Sequence, residues 1–472
     1  MENFAYPKLM QYFREISAIP RPSYHEDAIA DFLVSFAQAR GFSYVRDEWN
    51  NVLISAPATA GLENRSPVLL QGHTDMVCEK NKGVEHDFLR DPIALCAEGD
   101  WLRAEGTTLG ADNGVAVAAM LTILDGEAHP PIECLFTSSE EVGLDGAKNF
   151  DYTRVSARTM LNMDGADDGE IIVGCAGGAR SDLFLHGEKI PCEETCYRLS
   201  IRGLAGGHSG EDIHRGRANA NCLLGRLLSE ILTEQEIRLA SVEGGNKDNA
   251  IPREASAVLW VMDFERAKRA VDALWQTILR ELCTEDSSAE LSFVPCETAR
   301  MVFDSWMTKR LVTLLSVPNG VLAMEENAPD LVQFSRNLGV IHSEQQGIKV
   351  TFSSRSAKNE QIDASLTELD AYALHTQAEI THHSRYPGWE IAERSELREK
   401  YAEIFSGLFG RELRIASIHA GLECGLIKQA VPTMDMISCG PRIKNLHSPD
   451  ERLDLRSLER FFLLITEVLK TI

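Results

Sequence analysis

Five short segments carry histidine or carboxylate side chains at the end of an apolar run, in a glycine-rich loop or in a turn. They are Leu69–Val77, Gly106–Gly114, Cys134–Gly143, Leu161–Gly165 and Asn445–Glu451. In the first segment, His73 and Asp75 stand two residues apart, so both side chains lie on one side of an extended strand. A metal-bound imidazole usually gives its second nitrogen to a carboxylate or carbonyl. This pair therefore suits a metal ligand and its orienting partner.

The other four segments add the donors that a metal centre would need. They supply Asp112, Glu140, Glu141, Asp164 and His447. Each alone has an ordinary structural explanation, because aspartates cap helices or occupy turns and most charged side chains are exposed. Five such segments in one chain favour a metal over a solvated surface. Imidazole and carboxylate ligands suit zinc, and ligand type alone leaves manganese and cobalt open.

Composition limits the class of protein. With 472 residues, 44% hydrophobic and 25% charged, the chain is expected to form two globular domains. Its net charge of −24 would repel nucleic acid and anionic membranes, so neither is an expected partner. The 11 cysteines form no Cys-x-x-Cys pair and are expected to be reduced. The start carries no signal-peptide pattern and no apolar run is long enough for a membrane span, which predicts a cytoplasmic location.

The elements that must position these residues follow from the hydrophobic pattern. Strands and helices alternate up to about residue 172, which predicts an α/β fold with a mixed sheet and helices on its faces. One predicted helix starts with the capping-box spacing of Ser23 and Glu26 and ends at Gly41. We predict that residues 187–385 form an inserted α+β lid domain, and that 1–186 and 386–472 together form the catalytic domain. Such an insertion would let His447 join residues that precede it by almost 300 positions.

Six motifs carry a resemblance to a known family. They are Gly72–Asn81, Thr108–Gly114, Thr137–Leu144, Leu161–Asp164, His419–Gly425 and His447–Arg452. In this order they resemble the signatures of the aminoacyl-histidine dipeptidases, also called Xaa-His dipeptidases or cytosol non-specific dipeptidases. That group is a branch of the co-catalytic di-zinc exopeptidases, which include carboxypeptidase G and peptidase T. The resemblance extends over nearly the whole chain.

The resemblance implies a centre of two divalent metals, with zinc as the first expectation. His73, Asp112 and Asp164 would hold one metal. Asp112, Glu141 and His447 would hold the other, so that Asp112 bridges the two. The ligand charges agree, because two divalent ions against three carboxylates leave one positive charge for a bridging hydroxide. The resemblance also implies a cis peptide bond between Asp112 and Asn113, which is rare before a residue other than proline.

The same resemblance assigns the remaining roles at this centre. Glu140 would act as general base, taking the proton of the metal-bound water and passing it to the leaving amine. Asp75 would orient His73. The residues alone do not decide which of Glu140 and Glu141 is the base and which is the ligand.

The resemblance also implies that three residues of the inserted domain contact the substrate. His208, in Gly206–Gly210, would reach the oxyanion of the tetrahedral intermediate, from its own chain or across a homodimer. Asn249 and Arg355 would contact the substrate, and an arginine suits a terminal carboxylate. A structural ion pair for Arg355 and a plain polar lid residue for His208 are the alternatives. His419 and Glu423 either support the metal ligands or satisfy the core.

Together with these residues, the resemblance implies a metallo-dipeptidase that hydrolyses small unblocked dipeptides, including those that end in histidine. Two alternatives stay open. One is an N-acyl amino acid amidohydrolase with the same site, and the other is a metal-binding scaffold without catalysis. An intact general base at position 140 favours an enzyme over a scaffold.

Overall fold

The structure is a computed structural model and describes residues 4–296, 300–325 and 328–472. The helices in these ranges are α1 (Pro7–Ser17), α2 (Asp27–Arg40), α3 (Ala111–Leu124), α4 (Asp145–Asn149), α5 (Ala220–Glu234), α6 (Phe264–Glu281), α7 (Ser305–Leu315), α8 (Asn359–Thr376), α9 (Glu396–Phe409), α10 (Glu423–Ala430) and α11 (Leu455–Thr471). Of the helices that these residues form, none combines the length and the apolar character needed to cross a membrane.

The strands are β1 (Ser43–Arg46), β2 (Val52–Ala56), β3 (Val68–His73), β4 (Leu95–Glu98), β5 (Trp101–Ala104), β6 (Ile132–Thr137), β7 (Thr159–Asn162), β8 (Glu170–Cys175), β9 (Gly177–His186), β10 (Lys189–Pro191), β11 (Cys196–Arg202), β12 (Gly207–His208), β13 (Ile237–Gly244), β14 (Ala250–Ile251), β15 (Ala255–Val261), β16 (Glu290–Cys296), β17 (Met301–Phe303), β18 (Gly320–Glu325), β19 (Ala328–Glu344), β20 (Gly347–Ser356), β21 (Glu379–Tyr386), β22 (Arg414–Ile418), β23 (Asp435–Ser438), β24 (Ile443–Lys444) and β25 (Arg452–Asp454).

The chain divides into two compact units. The first comprises the residues up to Gly174 together with Trp389–Ser417 and Leu422–Ile472, and the second comprises Cys175–Gly388 and Ile418–Gly421. The second unit therefore begins before the expected residue 187, because β9 pairs along its length with β20 and β21. The chain returns to the first unit at Trp389 rather than at residue 386.

The first unit is built on a mixed eight-stranded sheet in the order β1-β2-β6-β3-β7-β23-β8-β22. Its centre is parallel, since β3 pairs in parallel with β6 and β7, and β7 with β23. Apolar side chains of α1, α2, α3, α9 and α11 pack with those of the central strands in one core. Parallel strands end at the same edge of a sheet, so the segments after β3, β6 and β7 meet there.

The predicted capping box at the start of α2 is wrong. The helix begins at Asp27, and the Ser23 hydroxyl donates to Asp75 Oδ2 at 2.7 Å. The Glu26 carboxylate accepts from the backbone N–H and the hydroxyl of Ser139, at 2.8 and 2.7 Å. Ser23 and Glu26 thus hold loops at the edge of the sheet where the strands end. Their spacing in the sequence did not reveal these contacts with distant residues.

The second unit has an α+β architecture. Its described strands form a nine-stranded sheet in the order β16-β11-β15-β13-β19-β20-β9-β21, with β18 on β19. Helices α5 to α8 contribute the apolar side chains that pack with this sheet. The strand β15 lies inside this sheet, where it pairs with β11 on one side and with β13 on the other.

Candidate metal centre

The carboxyl ends of three parallel strands bring most of the predicted metal ligands together. His73 is the last residue of β3 and lies opposite Thr137, the last residue of β6. Glu140 and Glu141 follow β6 within four residues, and Asp164 follows β7 by two. The sheet therefore fixes the positions of these side chains through its backbone.

Asp112 approaches this edge from the first turn of α3. The peptide bond between Asp112 and Asn113 is cis, as the resemblance implied. A glycine at position 72 is needed beside this helix, because a Cβ there would overlap Asn113 Oδ1 and the Cβ of Ala116. The Gly-His pair at the end of β3 thus lets α3 lie close enough for Asp112 to reach His73.

Two groups of donor atoms share Asp112. His73 Nε2 lies 3.0 Å from Asp112 Oδ1 and 3.6 Å from Asp164 Oδ1. On the other side, His447 Nε2 lies 3.3 Å from Asp112 Oδ2 and 3.2 Å from Glu141 Oε2. In each group, the donor atoms lie within 4.8 Å of one another. Each oxygen of the Asp112 carboxylate therefore faces a different group, which is the arrangement of a bridging ligand.

Glu140 adjoins both groups. One of its carboxylate oxygens lies within 4.8 Å of donor atoms of His73 and Glu141. The geometry alone thus leaves Glu140 free to act as a ligand or as a base.

Asp75 is fully buried and joins His73 to the glutamate pair. Its Oδ1 lies 3.3 Å from His73 Nδ1, on the side of the ring opposite the donor group. Its two oxygens also accept from the backbone N–H groups of Glu140 and Glu141, at 3.0 and 3.2 Å. One carboxylate therefore sets both the orientation of the imidazole and the position of the loop that carries the two glutamates.

The electrostatics of this cluster favour cations. Burial, together with the charges of Asp164 and Glu141, holds the pKa of Glu140 well above its ordinary value, against the opposing effect of His73. Burial likewise raises the pKa of Asp164 to about 6. Hydrogen bonds with Asp112 and Glu141 raise the pKa of His447 to about 11. Carboxylates crowded into a buried space retain protons because each opposes the charge of the next.

The residues present fit a pair of divalent ions. Glu141 Oε1 is buried and has no hydrogen-bond partner among the described residues. An unpaired carboxylate oxygen at such depth is costly unless a cation meets it. Two imidazoles and three carboxylates are also the donor types that zinc and related ions prefer.

Sequence reasoning missed several residues that hold the ligands in place. Buried Arg21 and Glu451 bond to the loop that carries Asp112. Gln71 and Asn162 precede His73 and Asp164 by two residues and bond to each other at 2.6 Å. A polar side chain inside an otherwise apolar strand is the signal that could have revealed the latter two.

Glu423 proves to support this edge of the sheet. Its carboxylate accepts from Gln71 Nε2 at 2.5 Å and from Thr137 Oγ1 at 2.9 Å. Gln71 and Thr137 stand on β3 and β6, so Glu423 ties together the two strands that lead to His73 and the glutamate pair.

The predicted substrate-binding residues all lie in the second unit. His208 on β12 pairs with Ala250 on β14, and Asn249 O accepts from the N–H of Ser209. His208 Nδ1 accepts from the N–H groups of Gly210 and Glu211, at 3.3 and 3.2 Å. The ring proton of the neutral imidazole is therefore assigned to Nε2, which leaves that nitrogen as a donor.

Arg355 lies close enough to influence two histidines of the same unit. Burial and the Arg355 charge lower the pKa of His208, and the same causes lower that of His419 to about 3. Arg355 Nη1 donates to the Tyr386 hydroxyl at 2.9 Å, while its Nε is buried without a hydrogen-bond partner among the described residues. His419 Nε2 and Ser335 Oγ lie 2.7 Å apart. Substrate contacts of these residues stay a prediction.

Comparison with known proteins places this site in context. The sequence matches the family described as Peptidase family M20/M25/M40 over residues 69–471. It is 38% identical to the cytosol non-specific dipeptidase of Escherichia coli K12, across 98% of this chain and 97% of the relative. The crystal structure of aminoacylhistidine dipeptidase from Vibrio alginolyticus superposes with a TM-score of 0.93 at 36% identity, covering 100% of this chain and 98% of that one.

A more distant structure is similar to this chain in fold alone. The aminopeptidase PepT of Bacillus cereus matches with a TM-score of 0.57 at 14% identity, over 99% of this chain and 98% of its own. The predicted fold class and the resemblance to the aminoacyl-histidine dipeptidases are confirmed by these matches. With a family match over most of its length and a relative of 38% identity over nearly all of it, the chain belongs to peptidase family M20/M25/M40.

Proposed function

We propose that this protein is a dinuclear-metal dipeptidase that hydrolyses small unblocked dipeptides, including those that end in histidine. The observation that supports this best is the pair of donor groups that share Asp112, with Glu140 beside them. The printed names of the Escherichia coli and Vibrio alginolyticus relatives support the substrate class. The first of those names also supports a cytosolic location.

The proposed ligands are those in the two donor groups. His73, Asp112 and Asp164 would hold one ion, and Asp112, Glu141 and His447 the other. The ligand types favour zinc, with manganese and cobalt as alternatives. When bound, two divalent ions lower the pKa of a water molecule and polarise the carbonyl of the scissile bond.

Glu140 is the proposed general base. Its carboxylate would take a proton from the attacking water at one oxygen and donate that proton to the leaving amine. The position of Glu140 supports this role, because its carboxylate lies beside both donor groups and desolvation holds its pKa above the ordinary value, which favours acceptance of a proton. Asp75 would hold the Glu140 backbone and orient His73 throughout.

The second unit would supply the contacts to substrate. His208 would donate from Nε2 to the oxyanion that forms as the carbonyl is attacked. Arg355 has a buried Nε without a partner among the described residues, which supports a role in binding the terminal carboxylate. Asn249 would also contact the substrate. The alternative is that His208 acts across a homodimer, and activity that is lost as dilution lowers the solution mass from dimer to monomer would identify that arrangement.

The direct test combines metal content with turnover. The purified protein should contain two equivalents of metal, release amino acids from free dipeptides, and lose this activity in chelator. The Glu140→Gln variant should retain both metals and lose at least about 100-fold in kcat, the usual contribution of a general base. The exposed Glu403→Gln change is the matched control and should leave kcat unchanged.

Other outcomes would point to the alternatives. Turnover of N-acetylated amino acids but not of free dipeptides would identify an amidohydrolase. Metal binding without any hydrolysis would identify a scaffold. Full activity in the Glu140→Gln variant would refute the role of that residue.

A further inference from the structure

We propose that Glu451 is a positioning residue that fixes the bridging carboxylate of Asp112 before any metal binds. This inference rests on the proposed function, because it takes Asp112 as the shared ligand. Glu451 Oε2 accepts from the N–H groups of Leu109 and Gly110, at 2.8 and 2.9 Å. Its Oε1 accepts from those of Ala111 and Asp112, at 2.8 and 3.2 Å.

This contact involves four successive backbone amides. They lie at the start of α3, where amides have no partner within the helix and no side chain of the capping residue takes their place. Glu451 is only 2% exposed, so water does not compete for these hydrogen bonds. A carboxylate held by four donors cannot rotate without breaking several of them. The loop is therefore fixed in orientation as well as capped.

Arg21 holds the same loop from its carbonyl side. Its Nη2 donates to Gly110 O at 2.6 Å, and its Nη1 donates to Thr74 O and Asp75 O, at 2.9 and 3.1 Å. Arg21 is itself 2% exposed. The Gly110 residue is thus bonded through its N–H to Glu451 and through its carbonyl to Arg21. Arg21 in turn ties the loop to the turn that follows His73.

The position of Glu451 in the chain adds a second link to Asp112. His447 stands four residues earlier, in the same turn, and its Nε2 lies 3.3 Å from Asp112 Oδ2. One short segment therefore contacts both the side chain and the backbone of the shared ligand. Since Asp112 belongs to both donor groups, a loop released from Glu451 should weaken both metal sites together.

A helix cap with no effect on the metals is the competing explanation. It predicts a lower melting temperature and unchanged metal affinity. A positioning role predicts weaker metal binding, because the free energy of ordering the loop must then come from the metal. Metal dissociation constants therefore distinguish the two explanations.

The test compares zinc binding by the full-length wild type and the Glu451→Gln variant. We expect both zinc dissociation constants of the variant to rise by about 10- to 100-fold, as is usual when a group supporting a ligand is removed. Asp450→Asn removes a carboxylate from the neighbouring exposed position and should bind zinc as the wild type does. A variant with a lower melting temperature but wild-type zinc affinity would overturn the proposal.

Hydrogen exchange of the metal-free wild type provides a second measurement that does not require the variant to fold. The amides of residues 109–112 should be protected after chelator treatment if Glu451 sets the loop in advance. Exchange at the rate of an unstructured segment would refute the proposal even if the variant does not fold. Failure of the wild type to bind zinc, manganese or cobalt would refute the proposed function instead, so the two failures are distinguishable.

Discussion

Replacing Glu423 with glutamine should remove a pH-dependent loss of stability from the metal-free protein. The Glu423 side chain is almost fully buried, and its Oε1 has no hydrogen-bond partner among the described residues. Burial raises its pKa to about 7, with a further contribution from Asp164 and opposition from His73. The charged form of this carboxyl is therefore unfavourable in the folded state.

The size of the effect follows from the difference between the two pKa values. In the unfolded chain the carboxyl titrates near 4.5, and in the folded protein near 7. The folded state thus binds more protons between these values, so stability is fully present below about pH 4.5 and is lost as the pH rises through 7. At about 1.4 kcal/mol for each pKa unit, the loss amounts to about 3 kcal/mol.

Urea denaturation in chelator between pH 5 and pH 8.5 measures this difference. The free energy of unfolding of the Glu423→Gln variant should rise by about 2.5 kcal/mol relative to wild type across that interval, since glutamine has no proton to lose and part of the total change precedes pH 5. The exposed Glu412→Gln change is the control and should follow the wild-type curve. Parallel curves for wild type and Glu423→Gln would refute the reasoning, because the buried carboxyl would then titrate alike in both states.

Two further substitutions test the geometry of the centre and the second unit. Gly72→Ala should weaken zinc binding by about ten-fold or more, because its Cβ would overlap Asn113 and Ala116 and move Asp112 away from His73. Gly407→Ala, whose Cβ would meet no atom within 4 Å, should bind zinc normally in the same titration. Arg355→Lys should raise KM for free dipeptides by about ten-fold, since lysine lacks the planar fork that pairs with a carboxylate. KM for dipeptide amides should change little, and an equal rise for both substrates would argue against a carboxylate contact.

The residues of the two donor groups could be located from the sequence because they occupy places that the sequence marks. An apolar run followed closely by glycine beside a histidine or carboxylate identifies the end of a buried strand. Gly72 and His73 end β3 in this way, and Asp164 and Gly165 follow β7. The partners of those residues could not be predicted in the same manner. Ser23 contacts Asp75 across 52 residues, and Glu451 contacts Leu109 across 342. No local pattern records a contact between such distant segments.

The boundary between the units shows a second limit of sequence reasoning. The strand β9 alternates between buried and partly exposed residues, which indicates a strand with one covered face. Alternation does not tell which sheet a strand joins. Hydrogen bonds to β20 and β21 assign β9 to the second unit, and those partners lie more than 150 residues further along the chain.

The supports found around the centre differ according to where each ligand comes from. His73 and Asp164 extend from neighbouring parallel strands, whose backbones lie about 4.8 Å apart, so the sheet alone places their side chains at a distance that one ion can span. Gln71 and Asn162 each precede one of these two residues by two positions, so their side chains point to the same side of the sheet. They bond to each other there and so link the two strands next to His73 and Asp164.

Strand pairing does not fix Asp112 and His447, because Asp112 lies at the start of a helix and His447 lies in a turn. The buried contacts of Arg21 and Glu451 collect at this place, on the loop that both donor groups share. A ligand on a strand is held by the ladder of the sheet, whereas a ligand on a loop needs side chains to bond its backbone. The buried charges of Arg21 and Glu451 beside Asp112 are thus the support that the proposed bridging ligand, which lies outside the sheet, would require.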